Sequence, residues 1–438
     1  MELQGSKRQG ALEIWKFRAL GGRKLSFKQH TPLKTSTHVS FTTTTFNPWV
    51  VLVSCFLIVF MMRGIQASYA IFILPASRDL GLDYLSLALP ATSCMLFTGP
   101  SLLTVGPLID KCDPRAIVSI GTCSAGLSIA LLSLAQSPLH FHLLYGVVFG
   151  STWMSCGLIA TTALISQLSA RRSGLAITVL QSAFPLGWFC VVPLTRMLIE
   201  RCGWRTAWFV LGLALTLIAI IASPLLRGFK IGSSPSEKEG FRKAFTPLTK
   251  ALRSPFYILT GVAIQFICGF TDIPLSTLWV PISIELGIDE AMASYTLSFM
   301  GATAFLGTLA MGTLAERTDR RLPIALSFAI RCMAIGFSLL IKSVIGYYVF
   351  LTLLGFSLFG MVPVIAAWLG DVFGKKVVGS LFSFSQFIHF VGSASGIYVL
   401  SYMAEMRGTY VPALIICLAL ALINVFLSLL IKHPRSLH

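Results

Sequence analysis

The sequence predicts an all-α polytopic membrane protein, with twelve transmembrane helices in two pseudo-symmetric six-helix bundles. Three observations carry that prediction. Hydrophobic residues make up 55% of the chain and charged residues only 12%, against about 25% charged in a soluble domain. Apolar stretches near the ~20 residues that a bilayer core demands recur along the whole length. A charged hairpin pattern, G-x-L-x-[acid]-[base]-x-D-x-R, occurs twice, at Gly106–Arg115 and Gly312–Arg321, offset by 206 residues, close to half the chain.

The elements follow in order. Residues 1–46 are polar and basic, with eight Lys/Arg against Glu2 and Glu13, and they contain no apolar core of a cleavable signal peptide. They read as a cytoplasmic tail or, being basic and acid-poor, as an organelle transit segment. The first bundle takes residues 47–226, with spans near 49–74, 87–108, 116–136, 141–165, 174–199 and 207–226. A linker at 227–253 carries Gly-Ser-Ser-Pro-Ser and seven Lys/Arg. The second bundle takes residues 254–432, with spans near 257–280, 291–314, 322–341, 347–369, 379–404 and 411–431, and residues 433–438 form a short tail.

The distribution of charge sets the orientation. Of the Lys and Arg residues, 26 fall in the tails, the linker and the even-to-odd loops, and 5 fall on the opposite side. Positive residues stay on the cytoplasmic side of short loops, which puts both termini and the linker in the cytoplasm. The net charge of +17 therefore reflects membrane topology and does not imply a nucleic-acid partner. The partners expected are the lipid bilayer, a small solute and a proton, with the chain acting as a monomer. A cell or inner membrane fits, and an organelle membrane is the other possibility. The ten cysteines are scattered without a CxxC pair, so no metal and no cofactor is expected.

The repeat extends beyond the hairpin. Arg171-Arg172 before Gly174 matches Lys375-Lys376 before Gly379, Gln181 matches Gln386, and Pro75 and Pro281 end the first and seventh spans. Two parallel six-helix repeats joined by a basic linker are a transporter arrangement. The Gly106–Arg115 stretch, with Gly106, Leu108, Asp110, Lys111 and Arg115 in place, resembles the loop 2–3 signature of the major facilitator superfamily, with Asp113 where the signature usually has glycine. Three further stretches resemble that superfamily's monocarboxylate-porter and oxalate/formate-antiporter branch. They are Arg63–Phe72 leading to Pro75, Arg171–Ala176 followed by Glu200–Ala207, and Gly370–Gly374. The resemblance implies the major facilitator fold and alternating-access transport of a small carboxylate. In that branch an arginine in the eighth helix holds the carboxylate. Here residues 291–314 contain no charge.

A charge at mid-bilayer costs about 2.5–3.5 kcal/mol even on insertion scales, so intramembrane charges are candidates for function. Arg63 lies deep in the first span and Asp272 at comparable depth in the seventh, equivalent helices that the resemblance places along the central cavity. Arg63 is expected to pair with an anionic substrate or with Asp272, and Asp272 to carry a proton. A permanent structural ion pair is the plain alternative. Gln66 shares the Arg63 face at i+3. Gln181 and Gln386 offer donors and an acceptor to a polar solute or to a neighbouring helix. His389, three residues after Gln386, either relays protons or hydrogen-bonds between helices. Phe184 and Trp188 form an aromatic face that packs the core or stacks on a solute. Arg331 reads as a packing or pairing residue in a peripheral helix, and Arg196 with Glu200 as a surface pair or external gate.

The hairpins supply a candidate cytoplasmic gate of Gly106, Asp110, Arg115, Gly312, Glu316 and Arg321. Asp110 would face the start of the eleventh helix and Glu316 the start of the fifth, where helix N-termini carry about half a positive charge. Ordinary loop capping is the competing account. Gly99, Gly106, Gly121, Gly126, Gly392 and Gly396 are expected to allow close helix approach. With no Walker, HExxH or GxSxG sequence, ATP-driven transport and enzymatic activity are not expected. The leading expectation is a proton-coupled secondary transporter of a small, monocarboxylate-like organic anion. The alternative is a proton-driven efflux pump for amphipathic or drug-like compounds.

Overall fold

The computed structural model describes residues 48–166, 173–227, 248–340, 344–358, 360–374 and 377–431. Among them all regular structure is helical, with no strand. Eleven helical stretches are long and apolar enough to cross a membrane, and one, Ala176–Leu226, has 51 residues. At 1.5 Å per residue that stretch would reach about 75 Å, over twice a ~30 Å hydrocarbon core, so it holds two passes. The break between them is Gly203, at φ 80° and ψ 163°, a backbone conformation that favours glycine.

The twelve passes are α1 (Pro48–Leu80), α2 (Tyr84–Lys111), α3 (Pro114–Leu131) and α4 (Pro138–Ile165). Next come α5 and α6, the arms of Ser173–Arg227 before and after Gly203, and α7 (Pro255–Thr277) with a short extension, Trp279–Glu285. Then follow α8 (Glu290–Arg317), α9 (Arg321–Leu340) and α10 (Val344–Leu358 and Met361–Phe373). The last two are α11 (Val378–Arg407) and α12 (Val411–Leu429). Aspartates start several of them. Asp83 caps α2 by accepting from Ser86 N at 2.8 Å, and Asp113 caps α3, ahead of Pro114, by accepting from Arg115 N at 2.9 Å. The Arg115 side chain also donates to Asp113, which holds that carboxyl below its ordinary range.

The two bundles repeat one packing device. A Cβ on Gly187 of α5 would lie 2.1 Å from the Phe60 carbonyl oxygen of α1. In the second bundle a Cβ on Gly269 of α7 would lie 1.9 Å from the His389 carbonyl oxygen of α11, and one on Gly392 would lie 2.2 Å from that of Phe266. Only glycine lets these backbones meet. Between the bundles, α2 packs on α11 and α5 on α8. Gly99 faces Phe387 and Gly301 faces Trp188 and Phe189.

The ends of the molecule differ. On the far face, which carries the α1–α2 and α7–α8 turns, Glu290 accepts from Arg78 and from Arg196, each at 3.0 Å, and Arg196 also pairs with Glu200 at 2.7 Å. Those contacts join the first bundle to the second. On the linker face, which carries the α2–α3 and α8–α9 loops, a Cβ on Gly106 or Gly312 would meet nothing within 4 Å among the described residues. The expectation that Gly106 brings helices together is therefore corrected for this conformation. The other five glycines named with it each face an atom closer than 3.0 Å.

Three boundaries also differ from the sequence reading. Pro75 does not end α1, which continues through it to Leu80; a membrane helix tolerates the one backbone hydrogen bond a proline removes. Pro281 lies inside the extension, and the break in α7 comes at Leu278, whose N–H bonds to the Pro274 carbonyl. The linker expected over 227–253 is already packed at its end, where Leu248 and Ala251 are buried in the apolar core of the second bundle.

Candidate functional site

Arg63 is 4% exposed on α1. Its guanidinium donates to Gln66 Oε1, one turn on, as the i, i+3 spacing allows. Aromatic rings surround it, with its central carbon 4.5 Å from the Phe184 ring, 4.6 Å from Trp188 and 5.9 Å from Trp153. Phe184 and Trp188 stand one turn apart on α5. Trp153 comes from α4, where residues Trp153–Ile159 wind as a π-helix, and its Nε1 donates to Thr98 Oγ1 of α2 at 2.8 Å. A desolvated cation over such rings gains about 2 kcal/mol. The rings of this cage brace the charge through their faces.

The facing half of the site belongs to the second bundle. Asp272 on α7 is 5% exposed and His389 on α11 is 6% exposed. His389 Nε2 lies 3.7 Å from Asp272 Oδ2, and the Cys268 thiol, one turn earlier on α7, lies 3.5 Å from the same oxygen. Gly269 makes the arrangement possible by letting α11 touch α7 at His389 itself. Asp272 Oδ1 also accepts from Ile273 N. The Asp272 charge acts on Arg63 across the interface. Trp153 meets Phe390 edge-on at 6.2 Å, bringing the two bundles together beside both groups.

The remaining site residues are placed unequally. Gln386 is buried and its Oε1 accepts from Gln265 Nε2 at 2.9 Å, an interhelical bond between α11 and α7. Gln181, its sequence counterpart, is exposed. Among the gate residues, Arg115 and Arg321 each bind the aspartate of their own hairpin, Asp113 and Asp319, which is a capping arrangement. Glu316 is exposed and makes no hydrogen bond or ion pair among the described residues. The Asp110 and Lys111 side chains, and Arg171, Arg172, Lys375 and Lys376, lie outside the described residues.

Sequence reasoning missed three residues of this centre. Gln265 and Cys268 carry no charge in a helix full of small residues, and Arg331 was read as a packing or pairing residue and not as part of this centre. Arg331, fully buried on α9, donates to Thr271 Oγ1 at 2.8 Å and reaches the Cys268 sulfur at 3.7 Å. The spacing of Cys268 and Asp272, one helical turn apart, was the available signal. Cys268, Asp272 and His389 present donor atoms within 4.8 Å of one another, and the positive charge beside them is the Arg331 guanidinium.

A protein-family model described as Major Facilitator Superfamily matches residues 52–397, with a second match over 265–438. The chain belongs to the Major Facilitator Superfamily. An "Uncharacterized MFS-type transporter YcxA" of Bacillus subtilis (strain 168) is 26% identical over 384 residues, covering 84% of this chain and 91% of that protein. "Monocarboxylate transporter 12" of Rattus norvegicus is 23% identical over 418 residues, covering 84% of this chain and 82% of the relative. Among solved structures, a bacterial homologue of the human lysosomal transporter Spinster, inward-facing and unoccupied, aligns with a TM-score of 0.71 at 14% identity. It covers 89% of this chain and 97% of its own. This superfamily member is thus a multi-pass membrane protein whose relatives are transporters of small molecules.

Proposed function

We propose that this superfamily member is a proton-coupled secondary transporter of small organic anions of the monocarboxylate type, working by alternating access as a monomer. The observation that carries the reading is the aromatic cage of Arg63. A buried guanidinium braced by three rings and a neutral glutamine is a planar fork of donors, the shape that matches a carboxylate. The likeness to a monocarboxylate transporter supports the substrate class. Asp272 with His389 carries the coupling proton, because an acid and an imidazole 3.7 Å apart can share one. The closed far face and the open surroundings of Gly106 and Gly312 support an inward-open state, with the linker side in a cell or inner membrane facing the cytoplasm. Closure of that side brings Asp110 and Glu316 towards the starts of α11 and α5.

The same rings favour a second reading, an efflux pump for amphipathic compounds, since aromatic faces accept apolar solutes. One experiment separates them. Purified protein in liposomes is offered labelled carboxylates from acetate to hexanoate, with lactate and benzoate, and a neutral amphiphile, with and without an inward proton gradient. Arg63→Lys, which loses the planar fork, weakens carboxylate uptake and leaves any uptake of the amphiphile unchanged. Gradient-driven transport of the amphiphile alone, insensitive to Arg63, establishes the pump instead.

A further inference from the structure

Arg331 is a buried charge that has no acid of its own. Nη1 donates to Thr271 Oγ1 at 2.8 Å and to the Cys268 carbonyl at 3.4 Å, and Nη2 donates to the Ser357 carbonyl at 3.4 Å. The Phe328 ring lies 5.3 Å from the guanidinium carbon. Among the described residues no carboxylate comes within ion-pair distance of it. A guanidinium cannot shed its proton, so its burial costs at least about 2.5 kcal/mol at mid-bilayer. Packing does not require that expense, because a methionine would fill the same space.

The acid in its reach is Asp272. Thr271, the shortest hydrogen-bond partner of Arg331, is the residue before Asp272. The Cys268 sulfur lies 3.7 Å from Arg331 Nη1 and 3.5 Å from Asp272 Oδ2. The guanidinium and the carboxylate therefore face each other across one thiol. The other titratable or charged groups turned towards this centre are Cys268 itself on α7, His389 on α11, Cys332 on α9 and Cys417 on α12, which both feel the Arg331 charge, and Arg63 across the interface on α1. α10 contributes Ser357 and Met361, neither of which titrates.

We propose that Arg331 is a positioning residue that sets how tightly the Asp272–His389 pair holds its proton, acting across the Cys268 thiol without contact. The inference rests on the proposal that this pair carries the coupling proton. A fixed positive charge favours the ionised carboxylate and disfavours the imidazolium, so it keeps the pair able to release what it takes up.

The test is the pH profile of carboxylate uptake in proteoliposomes. Arg331→Gln moves the midpoint to higher pH by about one unit, the size expected of one buried charge a few ångströms beyond contact. Arg331→Lys keeps the charge and stays near the wild-type midpoint. A wild-type midpoint in R331Q, or an equal shift in R331K, overturns the inference, the latter because it makes shape the cause. If R331Q does not reach the membrane, Thr271→Val takes over. It removes the shortest bond to the guanidinium and has to shift the midpoint in the same direction; an unchanged midpoint overturns the inference equally. Asp272→Asn separates the two proposals. A wild-type profile in D272N removes the proton site itself, whereas a flattened profile in D272N with an unmoved R331Q removes only the role of Arg331.

Discussion

Two buried charges, placed differently, organise the site at the residue scale. Arg63 meets aromatic rings, and Asp272 meets an imidazole and a thiol. A cation among rings and an acid beside an imidazole suit the proposed binding of an anion and a proton. Asp272→Asn keeps the size and most hydrogen bonding of the side chain but cannot hold a negative charge. It is expected to abolish proton-driven accumulation of a monocarboxylate, measured as the plateau of labelled uptake into liposomes with an alkaline interior. A wild-type plateau removes the proton role. Arg63 and Asp272 were legible in the sequence because a charge inside an apolar span stands out. His389 was legible only as a candidate, since its closeness to Asp272 depends on Gly269 and on a helix over a hundred residues away. Arg331 was read as a packing or pairing residue without a partner named, because nothing in the sequence brings α9 to Cys268.

At the scale of the helix, close approach through glycine decides which side chains meet. A methyl group on Gly269 would overlap the His389 carbonyl oxygen at 1.9 Å. Overpacking of that kind costs about 1–3 kcal/mol, and Gly269→Ala is expected to lower the melting temperature of the purified protein. Gly106→Ala is the contrasting case, because its Cβ would meet nothing within 4 Å among the described residues. Its melting temperature holds or rises slightly, as alanine favours helix by about 1 kcal/mol, while turnover falls if the linker-side ends of the helices close together during the cycle. Equal melting temperatures for both variants would contradict the packing account. The apolar spans were readable from length and hydropathy, and the α5–α6 turn from the gap between residues 199 and 207; that Gly203 makes the break was not. The π-helical winding of α4 was not readable, because a 3.6-residue period says nothing of the local register that brings Trp153 to Arg63.

The whole molecule is held shut at one end. Glu290 of the second bundle binds Arg78 and Arg196 of the first, and the matching hairpins at the other end bind their own aspartates. Glu290→Gln removes the charge shared by both arginines and is expected to populate a state opened at the far face. Spin labels on the α1–α2 and α7–α8 turns then gain a longer distance component. An unchanged distribution removes the lock. The twofold repeat was legible from the paired hairpins and the half-chain offset, but the conformation was not, because nothing in the sequence fixes how the two bundles tilt on each other. Gly106 shows this: its small size reads as close packing, yet none of the described residues would come within 4 Å of a Cβ there.

The central claim is that a carboxylate docks on the caged guanidinium of Arg63. Calorimetric titration of the purified protein tests it, using the monocarboxylate that the uptake panel selects, with wild type beside Arg63→Gln. Loss of charge-assisted hydrogen bonds worth about 1.5–3 kcal/mol predicts affinity about 10–100-fold weaker in the variant, with the fold intact by melting temperature. Equal affinity in wild type and R63Q would contradict the account.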